Sequence, residues 1–211
     1  MRAARLLWSK IVEAFGGPAT AAQMNIHAIS SEWNKTVYDP YVNMIRTTTE
    51  AMSAVLGGVE SLTVLPYDSV YRTPSEFSER VARNQQIMLR EESHFNEVAD
   101  PAGGAYYIES LTQSIAKHAW EIFLKMEDMG GFTAAFKQGA VQEMIMETAQ
   151  KRDQQIATRK QTVLGVNQYP NAGETMDKDI PEDVLNPAPV KKAENAVAEP
   201  LQKYRGAMKF E

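Results

Sequence analysis

Few side chains in this sequence could move a proton or hold a ligand. Among its 211 residues are three histidines, at 27, 94 and 118, and no cysteine. Disulfides and thiolate metal sites are therefore excluded. His27 falls near the end of a short apolar run, where a strand would carry its imidazole toward the open end of a sheet. A hydrogen-bonded interior histidine is the simpler reading, because no carboxylate partner is evident. Asn84 and Glu91 share the helical spacing of Phe77, Val81 and Met88, an unusual place for polar side chains. They could approach a cofactor; bonding to backbone or to a subunit interface is the plainer use. Glu91-Glu92 looks like a carboxylate pair, yet neighbours on a helix point apart and are badly placed for joint acid–base work. Asp100-Pro-Ala-Gly-Gly104 reads as a turn before the next helix and lacks the order of a phosphate loop. Asn34-Lys-Thr36 has the form of a glycosylation sequon, which carries little meaning in a cytosolic chain.

The elements that must position these groups alternate between helix and short strand. A helix over about 2–15, with Leu7, Ile11, Ala14 and Phe15 on one stripe, ends at Gly16-Gly17-Pro18. A strand follows around Gln23–Ile29. Asp39 is placed to cap a helix over about 40–56, with Pro40 at its first position and Tyr41, Ile45, Thr48, Met52 and Val55 on its apolar stripe. Gly57 then supplies a left-handed turn into a strand around Ser61–Leu65. Further helices are expected over about 75–92 and 109–129, the latter carrying Ile108, Leu111, Ile115, Ile122, Met126 and Met129. Phe95–Pro101 is a candidate third strand. A helical pair broken at Gly139 follows, and Val163–Val166 reads as extended. After Tyr169 the sequence turns rich in Pro, Asp, Glu, Lys and Asn, so residues 170–211 are expected to form a linker or wrapping arm, with Leu201–Phe210 as a possible helix start.

Helices and short strands joined by Gly-rich turns fit a (β/α) barrel better than an open sheet. A full barrel needs eight strands and about 250 residues. Three strands at most are visible here. The expected fold is a partial (β/α)8 TIM-type barrel over residues 1–169, with an extended arm over 170–211. Composition narrows the partners. The chain is 44% hydrophobic with a net charge of −5, so it can bury a core and presents no basic face for nucleic acid. No apolar run reaches the roughly 20 residues that span a bilayer, and no membrane is expected as a partner. The basic start Met1–Lys10 has a transit-peptide flavour but reads better as an ordinary surface helix. A cytoplasmic setting fits.

The ordered runs Trp33-Asn-Lys-Thr36, Asp39-Pro-Tyr41, Ile45-Arg-Thr-Thr48, Glu50-Ala-Met52, Gly57-Gly58, Ser78-Glu-Arg-Val-Ala-Arg-Asn84, Glu91-Glu92-Ser93, Val98-Ala-Asp-Pro101, Gly104-Ala-Tyr-Tyr-Ile-Glu-Ser-Leu-Thr112 and Val163-Leu-Gly-Val-Asn167 carry a specific resemblance. From about Arg2 to Tyr169 the sequence resembles the second half of the barrel of methylmalonyl-CoA mutase. That family isomerises methylmalonyl-CoA and succinyl-CoA by a radical rearrangement started from adenosylcobalamin. Active subunits carry Arg-x-His-Ser/Cys-Gln-Thr-Ser-Gly-Trp on the strand before the Asp-Pro-Tyr helix. Aligned on Trp33, this chain has Asn25 at the arginine position and Ile29 at the glutamine position. Active subunits read Gly-Gly-Thr-Gln-Ser-Leu-His-Thr-Asn at the next strand. Here Thr63 stands at the histidine and Leu65 at the asparagine. Asn cannot replace the fixed, forked charge of an arginine toward a carboxylate or phosphate.

The resemblance implies a chain like the small (beta) subunit of the heterodimeric bacterial enzyme of propionate metabolism. It would have no catalytic residues of its own and would pair with an active large (alpha) subunit and the missing remainder of the barrel. The holoenzyme would use adenosylcobalamin and an acyl-CoA. The cobalt-ligating pattern Asp-x-His-x-x-Gly is absent, so little cofactor binding is expected of this chain alone. His27, Asn84 and Glu91 remain the weak candidates for cofactor contact, and no metal site is expected. Two other readings stay open: a competent half-barrel working with its missing half, and a free-standing interaction module.

Overall fold

A computed structural model describes residues 1–174, 176 and 180–211. Among the described residues, seven helices and two strands run in the order α1 (Arg2–Ala14), β1 (His27–Ile29), α2 (Val42–Leu56), β2 (Ser61–Thr63), α3 (Glu76–Glu91), α4 (Tyr106–Asp128), α5 (Phe132–Lys137), α6 (Ala140–Ala157) and α7 (Glu182–Leu185). The protein is thus mixed α/β, mostly helical, around a small parallel sheet. β1 and β2 pair in parallel, with His27 opposite Ser61, Ala28 opposite Leu62 and Ile29 opposite Thr63. Helix α2 is the crossover between them, as parallel pairing requires. Ala51, Val64, Ala82 and Leu89 form the core, with Met52, Leu62 and Phe95 against it.

The strands are shorter than the apolar runs suggested. Before His27, the Ile26 N–H donates to the Glu60 carboxylate rather than to a ladder carbonyl, and the paired strand begins at His27, four residues after the expected start at Gln23. Phe95–Pro101 forms no strand. His94 and Asp100 both adopt positive φ, and the Phe95 and Glu97 amides close turns onto Leu89 and His94. Val163–Val166 is not extended either. Gly165 turns the chain at φ 83°, and the Asn167 side chain accepts from the Val163 N–H and donates to the carbonyls of Ile156 and Gln161. Leu201–Phe210 contains turns and no helix. Of the expected arm over 170–211, residues 175 and 177–179 lie outside the described residues.

Helix α2 corrects three expectations. Asp39 does not cap it: this residue has φ 48°, its carbonyl accepts from the Val42 N–H, and the helix begins without a side-chain cap. At the other end Gly57 is right-handed, and the left-handed turn is made by Gly58 at φ 70°. The inner face is Asn43, Thr47, Ala51 and Ala54, while Tyr41 and Ile45 from the expected stripe are 61% and 66% exposed. The same inversion occurs on α3, whose inner face is Ser78, Ala82, Gln85 and Leu89 and whose Phe77 points outward. Small residues let the two helices approach closely, and Gln85 bridges them by donating to the Met44 carbonyl and to the Thr47 and Thr48 hydroxyls. On α4 only Ala116 is fully buried, and Leu111, Ile115 and Ile122 are exposed.

Arg5 of α1 closes the end of α2 by donating to the carbonyls of Gly57 and Gly58 and pairing with Glu60. Gly58→Ala should therefore lower the unfolding free energy by roughly 1 kcal/mol, because alanine pays the left-handed penalty that glycine does not. Urea unfolding measures this; an unchanged midpoint would contradict the turn geometry.

Candidate functional site

The alternation of β1 and β2 puts His27, Ile29, Ser61 and Thr63 on one face of the sheet, opposite the face that Ala28 and Leu62 present to the helices. This first face is open, and Ile29 is 60% exposed. His27 is hydrogen-bonded, as the simpler reading expects, but it is exposed rather than interior. Its partners are hydroxyls from the neighbouring strand: Nδ1 lies 2.7 Å from Ser61 Oγ, and Nε2 lies 3.2 Å from Thr63 Oγ1. Both ring nitrogens are engaged. Thr63 thus occupies the side chain that would otherwise be free.

The other candidates are elsewhere. Asn84 and Glu91 lie on the exposed side of α3, and Glu91 accepts from Arg90 at 2.7 Å. The fold does not bring them to His27. His118 stands on exposed α4 near Glu121. Among the described residues no three His, Asp or Glu side chains gather where they could hold a metal ion. Ile29 and Leu65 at the strand ends offer no charge or hydrogen-bond donor to an anionic group.

Beyond the strand ends lies a cleft of about 800 Å³, lined by Ile29, Ser30, Trp33 and Leu65 from the strand side and by Val184, Tyr204 and Met208 from the arm. Behind it the β1–α2 loop is held by groups that sequence reading missed. Lys35 is 2% exposed, and its ammonium donates to both Glu50 oxygens at 2.9 and 3.0 Å and to Asn34 Oδ1 at 2.8 Å. Burial pushes the Lys35 pKa down, while the Glu50 hydrogen bond opposes the shift. Burial likewise lowers Arg46, which donates to Thr36 Oγ1 and Asn43 Oδ1 at 2.7 Å and to the Leu164 carbonyl at 2.8 Å. The one available signal was that Asn34, Lys35, Thr36, Arg46 and Glu50 fall inside the matched runs Trp33–Thr36, Ile45–Thr48 and Glu50–Met52, while Asn43 falls in none; nothing in their spacing marks them as partners.

Helix α1 is attached through carboxylates. The Ile26 N–H and then Arg5 hold Glu60 below the usual carboxylate range, and the Gly104 N–H and then Arg2 do the same for Glu109. Carboxylates lowered in the folded state bind fewer protons there than in the unfolded chain. Their contribution is present above the ordinary carboxylate range and is lost as pH falls through the lowered values. The protein should therefore lose stability on acidification, and Glu60→Gln should flatten that dependence. Urea midpoints measured between neutral pH and about pH 3 test this; parallel curves for the two proteins would refute it.

The methylmalonyl-CoA mutase family model matches residues 1–209. The methylmalonyl-CoA mutase small subunit of Porphyromonas gingivalis is 47% identical, the match covering 100% of this chain and 34% of that protein. The small subunit of Streptomyces virginiae is 42% identical over 81% of this chain and 27% of its own length. The large subunit from Porphyromonas gingivalis is 40% identical over 88% of this chain and 25% of its own length. The chain spans about a third or less of the length of these relatives.

Proposed function

The chain belongs to the methylmalonyl-CoA mutase family, and from that premise we propose that it is part of a small, non-catalytic mutase subunit. It supports the cobalamin-dependent isomerisation of methylmalonyl-CoA and succinyl-CoA by a cytoplasmic large subunit. The observation that carries this reading is the chemistry of the strand ends. Ile29 and Leu65 are apolar there, and Thr63 ties up His27. A site of this kind needs its complete polar shell. The relatives agree in direction: within one organism the small subunit is 47% identical and the large subunit 40%.

In this reading residues 1–169 are the last βα units of a (β/α)8 barrel, and residues 170–211 are an arm leading toward a cobalamin-type domain. The parallel β1–α2–β2 unit and the open sheet face support it. Both strands keep a free edge on which the remaining strands would pair. The exposed apolar side chains of α4 would be covered in the assembled subunit, or by the large subunit.

The test is turnover. The purified chain, mixed with adenosylcobalamin and methylmalonyl-CoA, should form no succinyl-CoA. The double variant Thr63→His with Leu65→Asn should form none either, since the arginine position stays Asn25. Co-expressed with a large subunit, the chain should co-purify. Turnover by the chain alone would make the competent half-barrel the better reading.

A further inference from the structure

One wall of the cleft at the strand ends is the chain's own arm. We propose that the segment Lys203–Glu211 is a built-in ligand of the β1–α2 loop, clamping it and roofing the strand ends with the protein's own arm. This deepens the non-catalytic reading and rests on it only for taking the strand ends as the mouth of a barrel.

The contacts alternate along the loop. The Trp33 carbonyl accepts from the Gly206 N–H at 2.8 Å, and the Lys35 carbonyl accepts from Arg205 Nη1 at 3.3 Å. The Val37 N–H donates to Glu211 Oε1 at 2.6 Å. Residues 33, 35 and 37 thus each give one backbone group to the arm, the first to a backbone amide and the other two to the Arg205 and Glu211 side chains. Arg205 and Glu211 also bind each other at 2.7 Å, with side chains 9% and 0% exposed. A charged pair this deeply placed is not a surface accident, because each partner left alone would be a buried charge.

Shape agrees with the bonding. A Cβ on residue 206 would come within 2.7 Å of Trp33 Cε2 and Cζ2, so the indole accepts only glycine there. Ala207 is 1% exposed. Helix α6 supplies a further wall: the Arg152 guanidinium lies 4.8 Å from the Trp33 ring centroid, and Asp153 pairs with Lys209. The apolar Ile29 and Leu65 then have a use. They line the same cleft as Val184, Tyr204 and Met208, so the apolar strand ends have apolar partners within the arm, beside the charged Glu32, Asp183, Lys203 and Arg205.

The full chain is compared with Gly206→Val and with Glu211→Ala by hydrogen–deuterium exchange and by trypsin cleavage after Lys203 and Arg205. In the parent chain the Val37 and Gly206 amides should be protected, and those two bonds should be cut at least about tenfold more slowly than the exposed Lys191–Lys192 stretch. Gly206→Val should abolish the protection of residues 33–37 and 204–211 while leaving α2 and α3 unchanged. Should Gly206→Val deprotect the whole chain, Glu211→Ala decides, because it leaves no side-chain acceptor for the Val37 N–H: loss of at least about tenfold in protection at Val37, with α3 intact, supports the clamp. Rapid cutting after Arg205 in the parent chain, or full Val37 protection in Glu211→Ala, overturns it. Turnover plays no part in these readouts, so failure of the clamp and failure of the non-catalytic assignment remain distinguishable.

Discussion

Glu50→Ala should lower the unfolding free energy by roughly 3–5 kcal/mol, a large fraction of the 5–15 kcal/mol that ordinarily holds a protein folded. Lys35 is the reason. Its side chain is 2% exposed, and Glu50 receives two of its three hydrogen bonds. Glu50 also accepts from the Ser31 N–H and from Asn34 Nδ2. Truncation leaves an ammonium in a low-dielectric pocket with only Asn34 Oδ1 beside it. Replacing both charges, as in Lys35→Met with Glu50→Leu, removes the unpaired ion and should recover most of the loss. The sign with pH is fixed by burial, which already lowers Lys35 in the parent chain. A lysine lowered in the folded state binds its proton better when unfolded. Stability is therefore withheld below the lowered value and returns as pH rises toward the ordinary lysine range. The defect of Glu50→Ala should be largest near neutrality and should shrink toward about pH 10. Urea unfolding at the two pH values measures both effects. A loss below about 1 kcal/mol, the range of an exposed pair, would show that Lys35 reaches solvent.

Punctuation made the helices legible. Gly16-Gly17-Pro18 stops α1, Gly130-Gly131 stops α4, and Gly139, at φ 85°, separates α5 from α6 as its position suggested. Faces were harder. Apolar periodicity placed Ile45 and Phe77 inward, and both are more than half exposed. The inner faces instead use Asn43, Thr47, Ser78 and Gln85, small or polar residues whose burial depends on hydrogen bonds: Thr47 and Gln85 meet across the α2–α3 seam, Asn43 bonds Thr36 and Tyr67, and Ser78 bonds Ser75. A hydrophobicity pattern cannot register a contact made by complementary polar groups. The strands failed for a related reason. Whether residues 95–101 join a sheet depends on a partner, and here the positive φ of His94 and Asp100 folds them into turns. The candidate site was half legible. His27 could be placed on a strand from its apolar neighbours, whereas its partners Ser61 and Thr63 follow from the register of β1 on β2. The segment after Tyr169 reads as a linker or a wrapping arm because its composition is poor in apolar residues. Gly206, Arg205 and Glu211 hold it through backbone and buried charge, which composition does not reveal.

Asn43→Leu should cost roughly 3–6 kcal/mol, the sum of several buried groups losing partners at about 1–3 kcal/mol each. The residue is 0% exposed and uses its whole amide. Oδ1 accepts from the Thr36 N–H at 3.1 Å and from Arg46 Nη1 at 2.7 Å. Nδ2 donates to the carbonyls of Thr36 at 2.8 Å and Tyr67 at 3.1 Å. One side chain thereby joins the β1–α2 loop, α2 and the segment after β2. Through Arg46 and the Leu164 carbonyl it also reaches the turn after α6. Leucine fills a similar volume, so packing changes little and the loss reports hydrogen bonding. Asn43→Asp separates the two halves of the amide. It keeps the acceptor and strengthens it toward Arg46, but turns an anionic oxygen toward the Thr36 and Tyr67 carbonyls. Its cost should fall between the parent and the leucine variant, and should shrink on acidification as the carboxyl becomes able to donate again. If leucine were tolerated within about 1 kcal/mol, Thr36 and Tyr67 would have to find other partners, and the polar centre of α2 would be a consequence of the fold rather than one of its causes.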